Sequence, residues 1–343
     1  MTTTRRTLLG FMAAACLSTT AAAQEVTLRL HQFLPAQANV PAHILDVWAD
    51  KVEADSDGRI KIDRFPSMQL GGTPPQLIDQ AIDGVADIIW TVAGYTPGRF
   101  PQLEVFELPF LSPDAEATSR AFWELAEARM MDTDFADFKP LGLWVHGPGV
   151  IHASRPITDV ADLRGLKLRA PTRTTTTLFT ELGATAVGMP VPAVPEALSK
   201  GVIDGAVIPW EVVPALKVQE LVANHTEFPG AALYTTAFIF AMNPGAYDGL
   251  PADLQAVIDA NSGLEFSAFA GRTMQEYDAP GRDLAEAAGN NIITLDAQQV
   301  ATWRAASQPT IDNWIAEADA AGIDGTGLFE EAKALIAKYN AGN

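Results

Sequence analysis

The chain has 343 residues, 48% of them hydrophobic, with 42 acidic and 23 basic side chains and a net charge of −19. That length allows two lobes, because single cores stop growing near about 250 to 300 residues. The acidity excludes the basic footprint a phosphate backbone requires, so nucleic acid is not an expected partner, and an anionic ligand needs locally clustered positive charge.

Residues 1–23 read as a cleaved signal peptide: Arg5 and Arg6, the apolar run Leu8 to Leu17, then Ala21, Ala22 and Ala23 before cleavage ahead of Gln24. The paired arginines also fit a twin-arginine signal. Cys16, the one cysteine, falls inside this segment, so the expected mature chain has no disulfide or thiolate site. It keeps 42 acidic against 21 basic residues, a charge of −21. No later apolar stretch reaches the roughly 18 residues a membrane span needs, so no membrane insertion is expected and the product belongs in the periplasm.

Val26, Leu28 and Leu30 alternate with polar neighbours as a strand, leaving His31 and Phe33 at its carboxyl end, the edge that faces ligand in open α/β sheets. Ile44, Leu45, Trp48 and Val52 predict an amphipathic helix, and Ile60, Ile62 and Phe65 a second strand. Pro74 and Pro75 open another helix, after which Ala86 to Val92 returns as a buried strand leading to Trp90 and Tyr95. His146 stands near a later strand end.

The same device recurs downstream. Leu166 to Arg169 is a predicted strand, Thr174 to Leu182 and Pro195 to Lys200 are helices, and Ile203 to Ile208 is a strand. Gly84-Val85-Ala86-Asp87 and Gly201-Val202-Ile203-Asp204 echo each other where helix passes into strand. Turn chemistry alone can produce such an echo; together with the duplicated order it predicts a two-lobed clamp. Phe238 lies in the apolar run that crosses back between lobes. A helical pattern from Ala252 to Ala288 follows, with an interruption expected at Pro280, and the tail from Trp303 to Leu335 reads as helices packed outside.

Arg169 and Arg173 follow the strand at Pro171, where both guanidinium groups can face one spot. The planar fork of arginine donates two parallel hydrogen bonds to a carboxylate and keeps its charge in a closing cleft. The alternative for each is an ordinary surface ion pair. Trp210 and Glu211 sit at the neighbouring strand end, as a cleft wall or as core, and Phe33, Trp90 and Tyr95 occupy the matching edge of the first lobe. The five histidines lack ligand spacing, there is no HExxH, phosphate loop or nucleophile elbow, and Gly147-Pro148-Gly149 lacks the third glycine of a dinucleotide loop. No metal, no cofactor and no catalysis are expected.

The segments DLRGLKLRAP (Asp162 to Pro171) and GVIDGAVIP (Gly201 to Pro209), with FELPFL, LGGTPPQLIDQAIDGVADI and MNPGAYDGLP in order, resemble the DctP-type solute receptors of TRAP (tripartite ATP-independent periplasmic) transporters. The resemblance implies a type II-like two-lobed α/β binding-protein fold, each lobe a mixed β-sheet flanked by helices, with a long helix spanning both. Lobe I is expected at 24–146 plus about 235–275, lobe II at 147–234 plus about 276–325, and an outer helix at 326–343. It also implies that Arg169 holds a substrate carboxylate, which the protein delivers to the small and large membrane subunits of a TRAP permease. A receptor of similar fold can instead feed a sensor kinase. Sialic-acid receptors of this family carry an arginine where this chain has Gly149 and an asparagine where it has Ile208. With Val191, Ile208 and Trp210 the wall is apolar, which favours a monocarboxylate with an aromatic or apolar body over a sugar acid; a 2-oxo acid or a dicarboxylate is the alternative.

Overall fold

The computed structural model describes residues 24–341; the expected signal, its paired arginines and Cys16 lie outside the described residues. Eleven strands form two mixed sheets. The first contains β1 (Val26–His31), β2 (Ile60–Phe65), β3 (Ile88–Val92), β4 (Lys139–Val145) and β10 (Ala237–Met242), in the order β2-β1-β3-β10-β4. The second contains β5 (Gly149–Ala153), β6 (Lys167–Ala170), β7 (Thr185–Gly188), β8 (Gly205–Pro209), β9 (Asn224–Glu227) and β11 (Asn291–Thr294), in the order β11-β9-β5-β8-β6-β7. In the first, β10 runs antiparallel between β3 and β4, while β1 pairs parallel with β2 and β3. In the second, β5 is antiparallel to both of its neighbours.

The echo of sequence is an echo of structure. Asp87 accepts a hydrogen bond from the backbone N–H of Arg29 on β1 (2.8 Å), and Asp204 accepts one from Lys167 at the start of β6 (2.9 Å). Each aspartate therefore locks the register of two adjacent parallel strands. The turn chemistry and the duplication are one feature.

The chain passes from the first sheet to the second through His146-Gly147-Pro148, and back between β9 and β10. The pattern expected as one helix from Ala252 to Ala288 is three: Ala252–Ala260, Leu264–Glu276 and Asp278–Ala287. Pro280 sits in the first turn of the last, and the break falls at Tyr277, one turn earlier. Having no N–H, proline cannot bond the carbonyl of Glu276, so the fault appears upstream of the residue that causes it. Leu264–Glu276 packs on helix Ala115–Arg129 and β4, whereas Asp278–Ala287 packs on the turn after β8, so the pair bridges the two sheets. A second bridge is the helix Ala297–Ala320, about 36 Å long at 1.5 Å per residue. Its Trp303 packs edge-on against Phe228 in the second core, and its Trp314 donates to Glu104 beside the first. The last helix, Gly325–Asn340, packs on Ala115–Arg129. No helix of the described residues is long and apolar enough to cross a membrane.

Candidate functional site

Between the sheets lies a small cavity of about 40 Å3. The first sheet and its loops supply Phe33, Trp90, Tyr95, His146, Thr236 and Phe238; the second supplies Arg169, Val191, Ile208, Glu211 and Tyr234. The side chains are almost wholly buried, so the space is enclosed.

Strand alternation aims Arg169. Its neighbours Leu168 and Ala170 enter the second core, which sends the guanidinium to the opposite face, over the small Ala206 of β8. Arg169 is only 2% exposed. Its Nε donates to the carbonyl of Met189 (2.9 Å) and its Nη1 to that of Val207 (3.0 Å). These bonds hold the fork in place and do nothing to its charge. Burial pushes its pKa down, opposed by the adjacent Tyr95 and Tyr234 hydroxyls, and among the described residues no carboxylate pairs with it. Arginine stays protonated nonetheless, so the cavity contains an uncompensated cation.

Two hydroxyls flank it. Tyr95 accepts the backbone N–H of Val191 across the cleft (2.9 Å), leaving its own proton free. Tyr234 is 1% exposed and its hydroxyl has no partner among the described residues. It lies flat over Gly149, where a Cβ would come within 2.0 Å of the ring. Gly149 thus makes room for a tyrosine. Phe33 stacks on Trp90 (4.6 Å, 18°), which stacks on Phe238 (5.3 Å, 21°). Burial pushes the pKa of His146 to about 4, so it is neutral; its Nδ1–H donates to the Gly147 carbonyl and its Nε2 accepts from the Thr236 hydroxyl. Glu211 is buried with one side-chain bond, from Asn39 (3.2 Å), and burial raises its pKa to about 8.

Three expected ligand residues lie outside the cavity. Arg173 opens the helix Arg173–Glu181, because Thr172 caps it, and so points outward to Glu104 (3.0 Å from Nε) and Glu317 (2.7 Å). A cation at a helix N-terminus opposes the dipole, and the two carboxylates offset that. Trp210 begins a three-residue 3-10 turn that ends strand alternation. Its ring turns away to His152 and His225, each 5.0 Å distant, and its N–H donates to Glu227 (2.9 Å), while Glu211 and Val212 face the cavity. His31 alternates to the outer side of β1, where its Nδ1 meets Gln80 (2.7 Å) and its Nε2 accepts from Leu70. Tyr234 and Thr236, which no sequence pattern singles out, complete the lining.

Several bonds exist only because the lobes are together: Tyr95 to Val191, Asn39 to Glu211, Thr172 to Glu107 (2.6 Å) and Arg173 to Glu104. Gly94 permits this approach, since a Cβ there would lie 2.4 Å from Cγ2 of Thr172. Gly94→Ala is therefore expected to hold the cleft partly open and weaken ligand binding about tenfold, as overpacking by about 1 to 3 kcal/mol does. Titration calorimetry against the wild type checks it, and unchanged affinity would show that the contact yields without cost.

The family profile of the DctP bacterial extracellular solute-binding proteins, family 7, matches residues 34–318. The chain belongs to this family. It is a TRAP solute-binding protein, a receptor and not an enzyme. A TRAP solute-binding protein from Rhodoferax ferrireducens, solved with copurified benzoate, is 50% identical with a TM-score of 0.91 over 92% of this chain and 99% of its own. One from a marine metagenome, specific for aromatic acids and solved with 3-hydroxybenzoate, is 48% identical with a TM-score of 0.90 over 92% and 99%. The receptor is also 26% identical to the protein TsaT of Comamonas testosteroni, described as an outer membrane transporter protein, over 97% of this chain and 98% of that one.

Proposed function

We propose that the receptor captures an aromatic monocarboxylate in the periplasm, after export by a cleaved N-terminal signal, and hands it to a TRAP permease. The observation that carries this reading is Arg169: a buried guanidinium, fixed by two carbonyls, with no carboxylate among the described residues to pair with it. A buried charge left alone is costly, and a ligand carboxylate removes that cost. With the hydroxyls of Tyr95 and Tyr234 beside the fork, the ligand's charged end has donors on several sides. Phe33, Trp90 and Phe238 form a flat stacked wall suited to an aromatic ring, and the relatives solved with benzoate and 3-hydroxybenzoate support that choice. Lining residues come from both sheets, so the ligand makes its full set of contacts only when the lobes close.

A thermal-shift screen tests it. Benzoate at 100 times its dissociation constant adds about 2.7 kcal/mol and is expected to raise the melting temperature by several degrees, with no rise from succinate or a sugar acid. A rise with succinate and none with aromatic acids would overturn the assignment.

A further inference from the structure

Arg169 accounts for one charged side chain of the cavity, and Glu211 is a second ionisable group there that the carboxylate reading leaves unexplained. Glu211 is the one acidic side chain lining the space among the described residues, beside Leu34, Ile208, Pro209 and Val212. Its Oε2 accepts from Asn39, whose buried Oδ1 has no partner among the described residues. The turn that presents Glu211 is held in place, because its backbone N–H donates to the half-buried Asp278 (2.9 Å). Arg169 pairs with Ala206 of β8, and Glu211 lies past the carboxyl end of that strand, roughly 10 Å or more further on at about 3.3 Å per strand residue. Both side chains line the same cavity, so one small ligand can meet both.

We propose that Glu211, braced by Asn39, is a specificity-determining residue that hydrogen-bonds a hydroxyl substituent on the aromatic ring whose carboxylate Arg169 holds. The inference rests on the carboxylate reading above and adds the substituted ring as the substrate class. A second carboxylate on the ligand is disfavoured here, since no cation among the described residues acts on Glu211. Burial raises its pKa to about 8, so near neutrality it is a carboxylic acid that both donates and accepts, as a phenolic hydroxyl does. Asn39 comes from the first lobe and Glu211 from the second, so the subsite forms only on closure. A site built to bond a hydroxyl discriminates against the analogue that lacks it, because its own polar atoms are then left unpaired.

The test is the ratio of affinities for hydroxybenzoate over benzoate, measured by calorimetry with 2-, 3- and 4-hydroxybenzoate and the best isomer used. The wild type is expected to favour that isomer at least about tenfold, and Glu211→Leu to lower the ratio at least about tenfold. Glu211→Gln, which keeps a donor and an acceptor, should retain the ratio within about threefold. If Glu211→Leu does not fold by circular dichroism, Asn39→Leu replaces it and is expected to lower the same ratio. A ratio that the leucine variant leaves unchanged removes the subsite but leaves Arg169 and the aromatic acid in place. Tighter wild-type binding of 3-(aminomethyl)benzoate than of any hydroxybenzoate would make Glu211 an ammonium site and overturn the assignment. Failure of the wild type to bind any aromatic carboxylate would overturn the underlying reading itself.

Discussion

Arg169→Ala is expected to weaken benzoate binding by about 30-fold to several thousandfold, the range that follows from removing one partner of a buried charge pair at about 2 to 5 kcal/mol. The position allows a second, opposite readout. In the closed protein Arg169 is a buried cation with no carboxylate among the described residues, held by the carbonyls of Met189 and Val207. Removing it abolishes that desolvation cost, although it leaves two carbonyls to find water. The variant's ligand-free melting temperature should therefore stay near that of the wild type while its shift with benzoate disappears. Arg169→Lys should bind nearly as poorly as the alanine variant. One ammonium cannot reach both carbonyls and still present two parallel donors to a carboxylate. Calorimetry and thermal melts of the three proteins decide the matter: an affinity within threefold of wild type for Arg169→Ala would remove the guanidinium from the site.

Why Arg169 was legible in the sequence while Arg173 was not comes down to local geometry. Leu168, Arg169 and Ala170 alternate as any strand does, and Pro171 marks where pairing ends, so the direction of Arg169 follows from period two. Arg173 required knowing that Thr172 is a helix cap. The segment RTTTT is poor in strong helix formers, and only the capping box of Thr172 with Thr175 fixes its first turn. Trp210 is the same lesson in reverse: extrapolating the strand by two residues places its ring beside Ile208, but the 3-10 turn that starts at Trp210 rotates it to the other side. The parallel strands β1, β2, β3, β6 and β8 could be read from alternation and apolar runs, whereas β9 (Asn224–Glu227) and β11 (Asn291–Thr294) span only four residues each, with no alternation to show a period. Helix Ala115–Arg129, which anchors both the bridge Leu264–Glu276 and the last helix, went unread, despite the cap Asp114. Pairwise orphans such as Tyr234 and the Glu211–Asn39 contact join residues far apart in sequence, and no periodicity encodes them.

Ligand affinity should fall as pH rises from about 6.5 to 8.5, through two buried carboxyls that closure brings against the opposite lobe. Glu107 accepts from Thr172 (2.6 Å) and from the backbone N–H of Ala237 (3.1 Å), with Glu104 nearby raising its pKa and Arg173 lowering it. Glu211 meets Asn39. Burial lifts both to about 8 from the ordinary 4.5, so in the closed protein they stay largely protonated until the pH approaches 8. In an open or unfolded chain they ionise near 4.5. The closed state then binds more protons than the open one, and by linkage its stability declines as pH increases and levels off once both groups have ionised above about 8. The limit is about 1.4 kcal/mol per pH unit for each group. His146 and His152, buried and shifted to about 4 and about 3, act in the opposite direction, but only below their ordinary value of 6.5, so the chosen window is free of them. Benzoate titrates well below it. Calorimetry at pH 6.5 and 8.5 should show about tenfold or more weaker binding at the higher value, and titrations at pH 7 in buffers of different ionisation enthalpy should show net proton uptake. Glu107→Gln and Glu211→Gln should each flatten the profile, because a permanently neutral amide leaves no proton to exchange. A wild-type affinity that stays level across the window, with no uptake, would mean that these carboxyls are already protonated before the lobes meet.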